Sequence, residues 1–386
     1  MKSKRNTILS AVFLAALAVG GVLFGANSEK IAAFINPPDL VISAPSTTVS
    51  QSGTALDYFD VTCSGVVKNI IITGSYVRLH DCELTGSASH SIRVGDQYRN
   101  PSAPLAHHVI IENNHVHNSV TENGIYPNCG RMSGGWGTGI KLERGSANVT
   151  VRNNTVHDTC GEGIAATMSA DALFEDNVSF NNFAGNIYTD ISPRTVIRNN
   201  TVSCSAFFIG GRQSFGISSG AEFYTGWGGN RDGLVIVGNT VDGCYDGISV
   251  FKGEPGADNA LRNALIDNNT VVHGSRWSIV IGSGIANTNV TVSNNRVFRP
   301  VYVASLAGVV LSNNVIYNGT PVTPVPVTST RTSAPATATW TATVLPSTLT
   351  STLAAVTSTK TATPVFVTPT FECYLFPAHG QRVCLP

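Results

Sequence analysis

Charge is what this sequence has least of. Only 12% of its 386 residues are Asp, Glu, Lys or Arg, about half the quarter that an ordinary globular chain carries. The 24 acidic and 24 basic residues cancel. That balance excludes the basic excess of a nucleic-acid surface, and it supplies no attraction to an anionic membrane. Eight cysteines are present without a Cys-x-x-Cys pair or a zinc-finger spacing, which speaks against a thiolate metal site. They fit disulfides in an oxidising compartment instead, with the pairing left open.

What the chain has in quantity is turn residues. There are 37 glycines, and asparagine recurs throughout; both tolerate left-handed backbone. The composition therefore implies many short strands joined by tight turns. Residues 1–28 read as an export signal: Lys2, Lys4 and Arg5 precede an uncharged apolar run over residues 8–24, and Ala26-Asn27-Ser28 offers small residues for cleavage. Left uncleaved, the run would be an anchor and the sole membrane contact. Either way the remainder is expected outside the cytoplasm, extracellular or at the cell surface.

An internal repeat organises residues 29–318. Short apolar strands end in asparagine, as in Val109-Ile110-Ile111-Glu112-Asn113-Asn114 and Val196-Ile197-Arg198-Asn199-Asn200. The last asparagine of each copy is Asn114, Asn154, Asn177, Asn200, Asn239, Asn269, Asn295 and Asn314; in an earlier copy Cys82 holds that place. A second strand follows each by about ten residues, among them Gly139-Ile140, Gly163-Ile164, Asn186-Ile187, Phe208-Ile209 and Gly247-Ile248. Spacings of 23 residues between Asn154, Asn177 and Asn200 suit one coil of a three-sheet solenoid. One coil cannot bury its own apolar face, whereas stacked coils pair every backbone N–H and C=O and share a continuous core. The asparagines should stack as a ladder of amides in one turn. The expected fold is all-β: a single-stranded right-handed parallel β-helix of about ten coils, expected to be monomeric. Residues 319–370 are rich in Thr, Pro and Ser and read as a linker. Residues 371–386 read as a small tail bridged by Cys373 and Cys384.

This pattern resembles the right-handed parallel β-helix proteins of the pectate lyase-like superfamily, over about residues 40–318. The motif sets of polygalacturonases (Asn-Thr-Asp, Asp-Asp, Gly-His-Gly) and of mannuronan epimerases (Asp-Pro-His-Asp) are absent, so no single enzyme family is matched. The resemblance implies a polysaccharide or glycan partner and a site on the outer face of the Gly-Ile sheet. Aligning the coils on that isoleucine collects Lys141, Glu143, Glu162, Asp190 and Arg212 as candidate catalytic residues. Arg93, Tyr188, Trp136, Trp227 and His157 are candidates for substrate binding. Two insertions, residues 117–137 and 213–233, should wall the same sheet. A lyase would use Lys141 or Tyr188 as base and Arg212 to neutralise a uronate, with Glu143 and Asp190 available for a calcium ion. An inverting hydrolase would use Glu162 or Glu143 together with Asp190. The alternative function is a non-catalytic glycan-binding or adhesin protein carried on a Thr/Pro stalk.

Overall fold

The computed structural model describes residues 38–96, 105–130, 136–222 and 230–317, and the backbone of Glu372–Phe376 and Gln381–Leu385. The export signal, the Thr/Pro-rich linker and Trp227 lie outside these. The chain divides into two compact units, Met1–Thr323 and Pro324–Pro386.

In the first unit three parallel sheets of 11, 10 and 10 strands run the length of a solenoid. One coil shows how the sequence builds it. Ala147–Arg152 lies in the first sheet, Thr155–His157 in the third and Glu162–Thr167 in the second, after which Leu173–Glu175 returns beside Ala147–Arg152. Alternation sends every second side chain inward: Val149, Val151, Val156, Ile164 and Ala166 are fully buried in one shared core.

The paired asparagines divide two tasks. The first of each pair takes the left-handed corner, at φ 56° for Asn113, 54° for Asn153 and 55° for Asn199. Asp176 and Gly238 serve at the same corner, all being residue types that reach this region at low cost. The second asparagine is buried and forms the ladder. Asn154 donates its backbone N–H and its Nδ2 to Oδ1 of Asn177, each at 3.0 Å. Asn177 does the same to Asn200, and the file continues through Asn239, Asn269 and Asn295 to Asn314. At the other end the Cys82 N–H donates to Oδ1 of Asn114 at 3.0 Å, so cysteine closes the ladder with its backbone alone. Its sulfur is spent on a disulfide to Cys63.

Cys129–Cys160 and Cys204–Cys244 complete the disulfides among the described side chains, and like Cys63–Cys82 they hold Cα atoms 4.9 to 5.2 Å apart. That is close to the distance between neighbouring strands, so each bridge ties one coil to the next. In the second unit, Glu372–Phe376 and Gln381–Leu385 form an antiparallel hairpin with Cys373 opposite Cys384.

The structure corrects one coil of the sequence alignment. Phe208–Ile209 is not a strand of the second sheet; it pairs antiparallel with Arg212–Gln213 in a small hairpin. The sheet position is taken by Phe215–Gly220, with Ile217 between Ile187 and Ile248. Phe207, Gly210 and Arg212, which alignment on Ile209 would set on the outer face, therefore yield those places to Phe215, Ser218 and Gly220. The two apolar pairs look alike locally, and only docking against the neighbouring coils distinguishes them.

Candidate functional site

The outer face of the second sheet is covered rather than open. Both Glu162–Thr167 and Gly185–Asp190 are buried at every position, the outward side chains included. Two walls produce this. The first is the insertion that carries Thr121–Asn123 and a short hairpin, tied to the next coil by Cys129–Cys160. The second is the Phe208–Gln213 hairpin rather than the expected insertion at 213–233, whose Phe215–Gly220 is a strand of the sheet itself and whose residues 223–229 lie outside the described ones. The two walls pack together through Val120, Cys129, Cys160 and Ile209, and beside them lies a cavity of about 410 Å³ lined by Trp136, Glu162, Tyr188, Arg212, Phe215, Glu222, Asp246, Phe251, Arg276, Trp277 and Tyr302, among others. This is within the range of ligand pockets, roughly 300–1,000 Å³.

The register builds two rows along the coils. One runs Thr138, Glu162, Gly185, Phe215, Asp246, Trp277 on successive coils. The other runs Arg93, Lys141, Ala165, Tyr188, Ser218, Ser249, Val280, Tyr302. Glu162 is pinned where it stands: Oε2 accepts from Lys141 Nζ at 3.2 Å and from Thr138 Oγ1 at 3.1 Å. Asp246, only 1% exposed, accepts from Arg276 through both oxygens. That bond raises the Arg276 pKa, and the Arg276 guanidinium lies 5.2 Å from the Tyr245 ring centroid. Arg212 reaches the cavity over the face of Trp136, 4.4 Å from its centroid.

Tyr188 stands at the centre of the second row. Its hydroxyl donates to Oε1 of Glu222 at 3.4 Å, and its ring stacks parallel to Phe251 at 6.1 Å. Gly220 makes room for both: a Cβ there would fall 2.4 Å from the Tyr188 hydroxyl and 2.8 Å from Cζ of Phe251. Glu222 is held from below, because its backbone N–H donates to Oδ1 of Asp190 at 2.8 Å. Arg231 lies near the same support, 1% exposed and donating to the carbonyls of Phe251 and Asn259 at 3.0 Å. Burial pushes its pKa down to about 10, against the pull of Tyr188, Asp190 and Asp258.

Of the sequence candidates, Glu162, Arg212, Tyr188 and Trp136 line the cavity. Lys141 does not line it and acts on Glu162 instead. Asp190 is fully buried beneath Glu222 and offers no face to the cavity. Glu143 is buried with Arg93, Oε1 to Nη1 at 3.7 Å, and Arg93 also donates to Asp96 at 2.7 Å. Both carboxylates of the expected calcium pair thus already serve protein groups, and they do not fit a shared dication. His157 belongs to the third sheet and is absent from the cavity. The chain brings in Glu222, Asp246, Arg276, Trp277 and Tyr302, which were not selected from sequence. Asp246 and Trp277 lie two residues before the aligned isoleucines Ile248 and Ile279, as Glu162 does before Ile164, a signal the alignment could have used; Arg276 and Tyr302 carried no local signal.

Comparison with known proteins agrees with this architecture. Residues 68–226 match the family described as right handed beta helix region. The alginate lyase from Paenibacillus sp. str. FPU-7 superposes with a TM-score of 0.50 at 16% identity, over 74% of this chain and 95% of that one. Looser likeness extends to a mannuronic acid specific polysaccharide family 6 lyase from human gut microbiota (TM-score 0.34, 14% identity, 72% of this chain and 82% of that one). The A-module of the Azotobacter vinelandii mannuronan C-5 epimerase is looser again (TM-score 0.25, 13% identity, 74% and 88%). No curated protein sequence matches the chain.

Proposed function

We propose that this right-handed parallel β-helix of the pectate lyase-like type is an exported enzyme that binds and cleaves a uronic-acid-containing polysaccharide in the groove on its second sheet. One observation carries the reading: Tyr188 with its Glu222 partner, the Arg212 guanidinium and the rings of Trp136, Trp277 and Tyr302 line one cavity. Sugar rings stack on aromatic faces, and a uronate carboxylate is met by a guanidinium.

Lyase chemistry suits these groups. In one concerted step the Tyr188 hydroxyl passes its proton to Glu222 and takes the proton α to the uronate carboxylate. The electron pair forms the new C=C bond and expels the glycosidic oxygen, which is protonated from the tyrosine–glutamate pair. Arg212 balances the charge that builds on the carboxylate. The inverting-hydrolase alternative needs two carboxyls about 6.5–9.5 Å apart. Glu162 and Asp246 are three coils apart in their row, about 14 Å at the backbone, and each is already pinned by a cation. The three disulfides fit an oxidising compartment outside the cytoplasm.

The test is a panel of uronate polymers read by the ultraviolet absorbance of the unsaturated product end. The expected result is product from at least one polymer, with the rate falling by about 100-fold or more in Tyr188→Phe and Arg212→Ala. Reducing ends from a neutral polymer, without unsaturated product, would replace the lyase with a hydrolase. Saturable binding without cleavage would leave the glycan-binding alternative.

A further inference from the structure

On the outer face of the third sheet, away from the groove, three histidines and a glutamate converge. Val116 points into the core, fully buried, so its neighbours His115 and His117 both project outward. The coil before places Glu83 opposite His115, and the coil after places His157 opposite His117. His117 and His157 are register neighbours, with rings stacked at 5.4 Å. Yet Nε2 of His157 is turned diagonally to Nε2 of His115, at 2.9 Å. Nε2 of His117 lies 3.4 Å from Oε1 of Glu83, and ligand atoms from Glu83, His115 and His117 all fall within 4.8 Å of one another.

We propose that Glu83, His115, His117 and His157 form a binding site for one divalent transition-metal ion of the zinc class. Three imidazoles and a carboxylate are the donor set such ions prefer. A tetrahedral zinc with bonds of about 2.0–2.2 Å needs its ligand atoms about 3.3–3.5 Å apart. Glu83, His115 and His117 present ligand atoms within 4.8 Å of one another, with the His117–Glu83 pair at 3.4 Å. Among these three, His157 meets only His115, at 2.9 Å, and a rotation of its side chain would bring Nε2 in as the fourth ligand. The three imidazoles lie against one another with ring centroids 4.4 to 5.4 Å apart, and within that row Glu83, His115 and His117 turn ligand atoms toward one another. The outer support is also present. Nδ1 of His157 stands 2.8 Å from Oδ2 of Asp158, a carboxylate that holds the proton on Nδ1 and leaves Nε2 free to coordinate. The Asn118 amide stands 2.9 Å from Nδ1 of His117, and an amide can offer a ring nitrogen either its oxygen or its NH₂. Four protein ligands close the coordination shell, so the ion would be structural: it would staple the three successive coils that hold Glu83–Thr85, His115–His117 and Thr155–His157.

The experiment uses the full chain without an affinity tag of histidines, stripped with a chelator and titrated with zinc chloride by calorimetry. The expected result is one zinc per chain, with a melting temperature that climbs as zinc is added. His115→Gln and His157→Gln should each weaken zinc binding at least tenfold. Asp158→Asn should weaken it by about 10–100-fold, and His273→Gln, whose histidine pairs with Asp242 elsewhere, should leave it unchanged. Cobalt(II) in place of zinc should report a tetrahedral site in its visible spectrum. Absence of saturable binding would overturn the proposal. So would wild-type affinity in both the His115→Gln and His157→Gln chains, once circular dichroism shows them folded, or equal loss in the His273→Gln chain.

Discussion

Arg276 donates to both carboxylate oxygens of Asp246, yet the two ends of the pair live in different surroundings: the Asp246 side chain is 1% exposed and that of Arg276 is 45% exposed. The consequences of breaking the pair should differ accordingly. Arg276→Ala strands a buried carboxylate and should destabilise by about 3 kcal/mol. Asp246→Asn leaves a guanidinium that water can reach and should cost about 1 kcal/mol. Urea unfolding of the two variants measures the difference, and equal losses would refute the asymmetry.

Gly220→Ala should separate chemistry from stability. The added methyl meets the far ends of Tyr188 and Phe251, which move at modest cost, but the movement takes the Tyr188 hydroxyl from Glu222. The expected outcome is a fall in kcat of at least tenfold on a uronate polymer, with a melting temperature within a few degrees of the parent.

The ladder should be strongest in its middle. Replacing Asn177 by Ala removes the acceptor of two bonds from Asn154 and the donor to the Val151 carbonyl, all buried, and should destabilise by about 3 kcal/mol or more. Asn314 accepts the last bonds of the file at its part-buried end. Water substitutes there, so Asn314→Ala should cost about 1 kcal/mol. Chemical denaturation of both variants checks the order.

Removing the Cys204–Cys244 bridge frees a loop of 40 residues. Cys204→Ala with Cys244→Ala should lower stability by about 4 kcal/mol if loop entropy dominates. Denaturant midpoints of the double variant, compared with the parent before and after reduction, give the value.

Stability should fall on the acid side partly through Glu112. Its pKa is lowered: burial pushes it up, but hydrogen bonds from Arg152 and Arg78 outweigh that push. A depressed carboxylate contributes stability that is complete above its unfolded pKa, about 4.3, and is lost as pH falls through the folded one. Glu112→Gln should therefore flatten the loss below about pH 4.5 while lowering stability at neutral pH. An unchanged acid limb in pH-dependent melts would count against this.

Much of the architecture is written locally. Asn, Asp or Gly at a left-handed corner followed by a ladder Asn marks each turn, alternation marks the inward Val and Ile, and coil length follows from the 23-residue spacing between Asn154, Asn177 and Asn200. These depend on periods of two residues and one turn, so sequence alone determined the three-sheet solenoid, its core and its ladder. Tertiary structure decided the rest. It chose Ile217 over Ile209 for the second sheet, because an insertion of arbitrary length leaves two equivalent apolar pairs and only the neighbouring coils select one. It also buried Asp190 under Glu222, set Arg276 against Asp246, and turned His157 toward His115 on another face. Such meetings join residues from different coils, and the distance between them depends on how the coils stack, which no local pattern encodes.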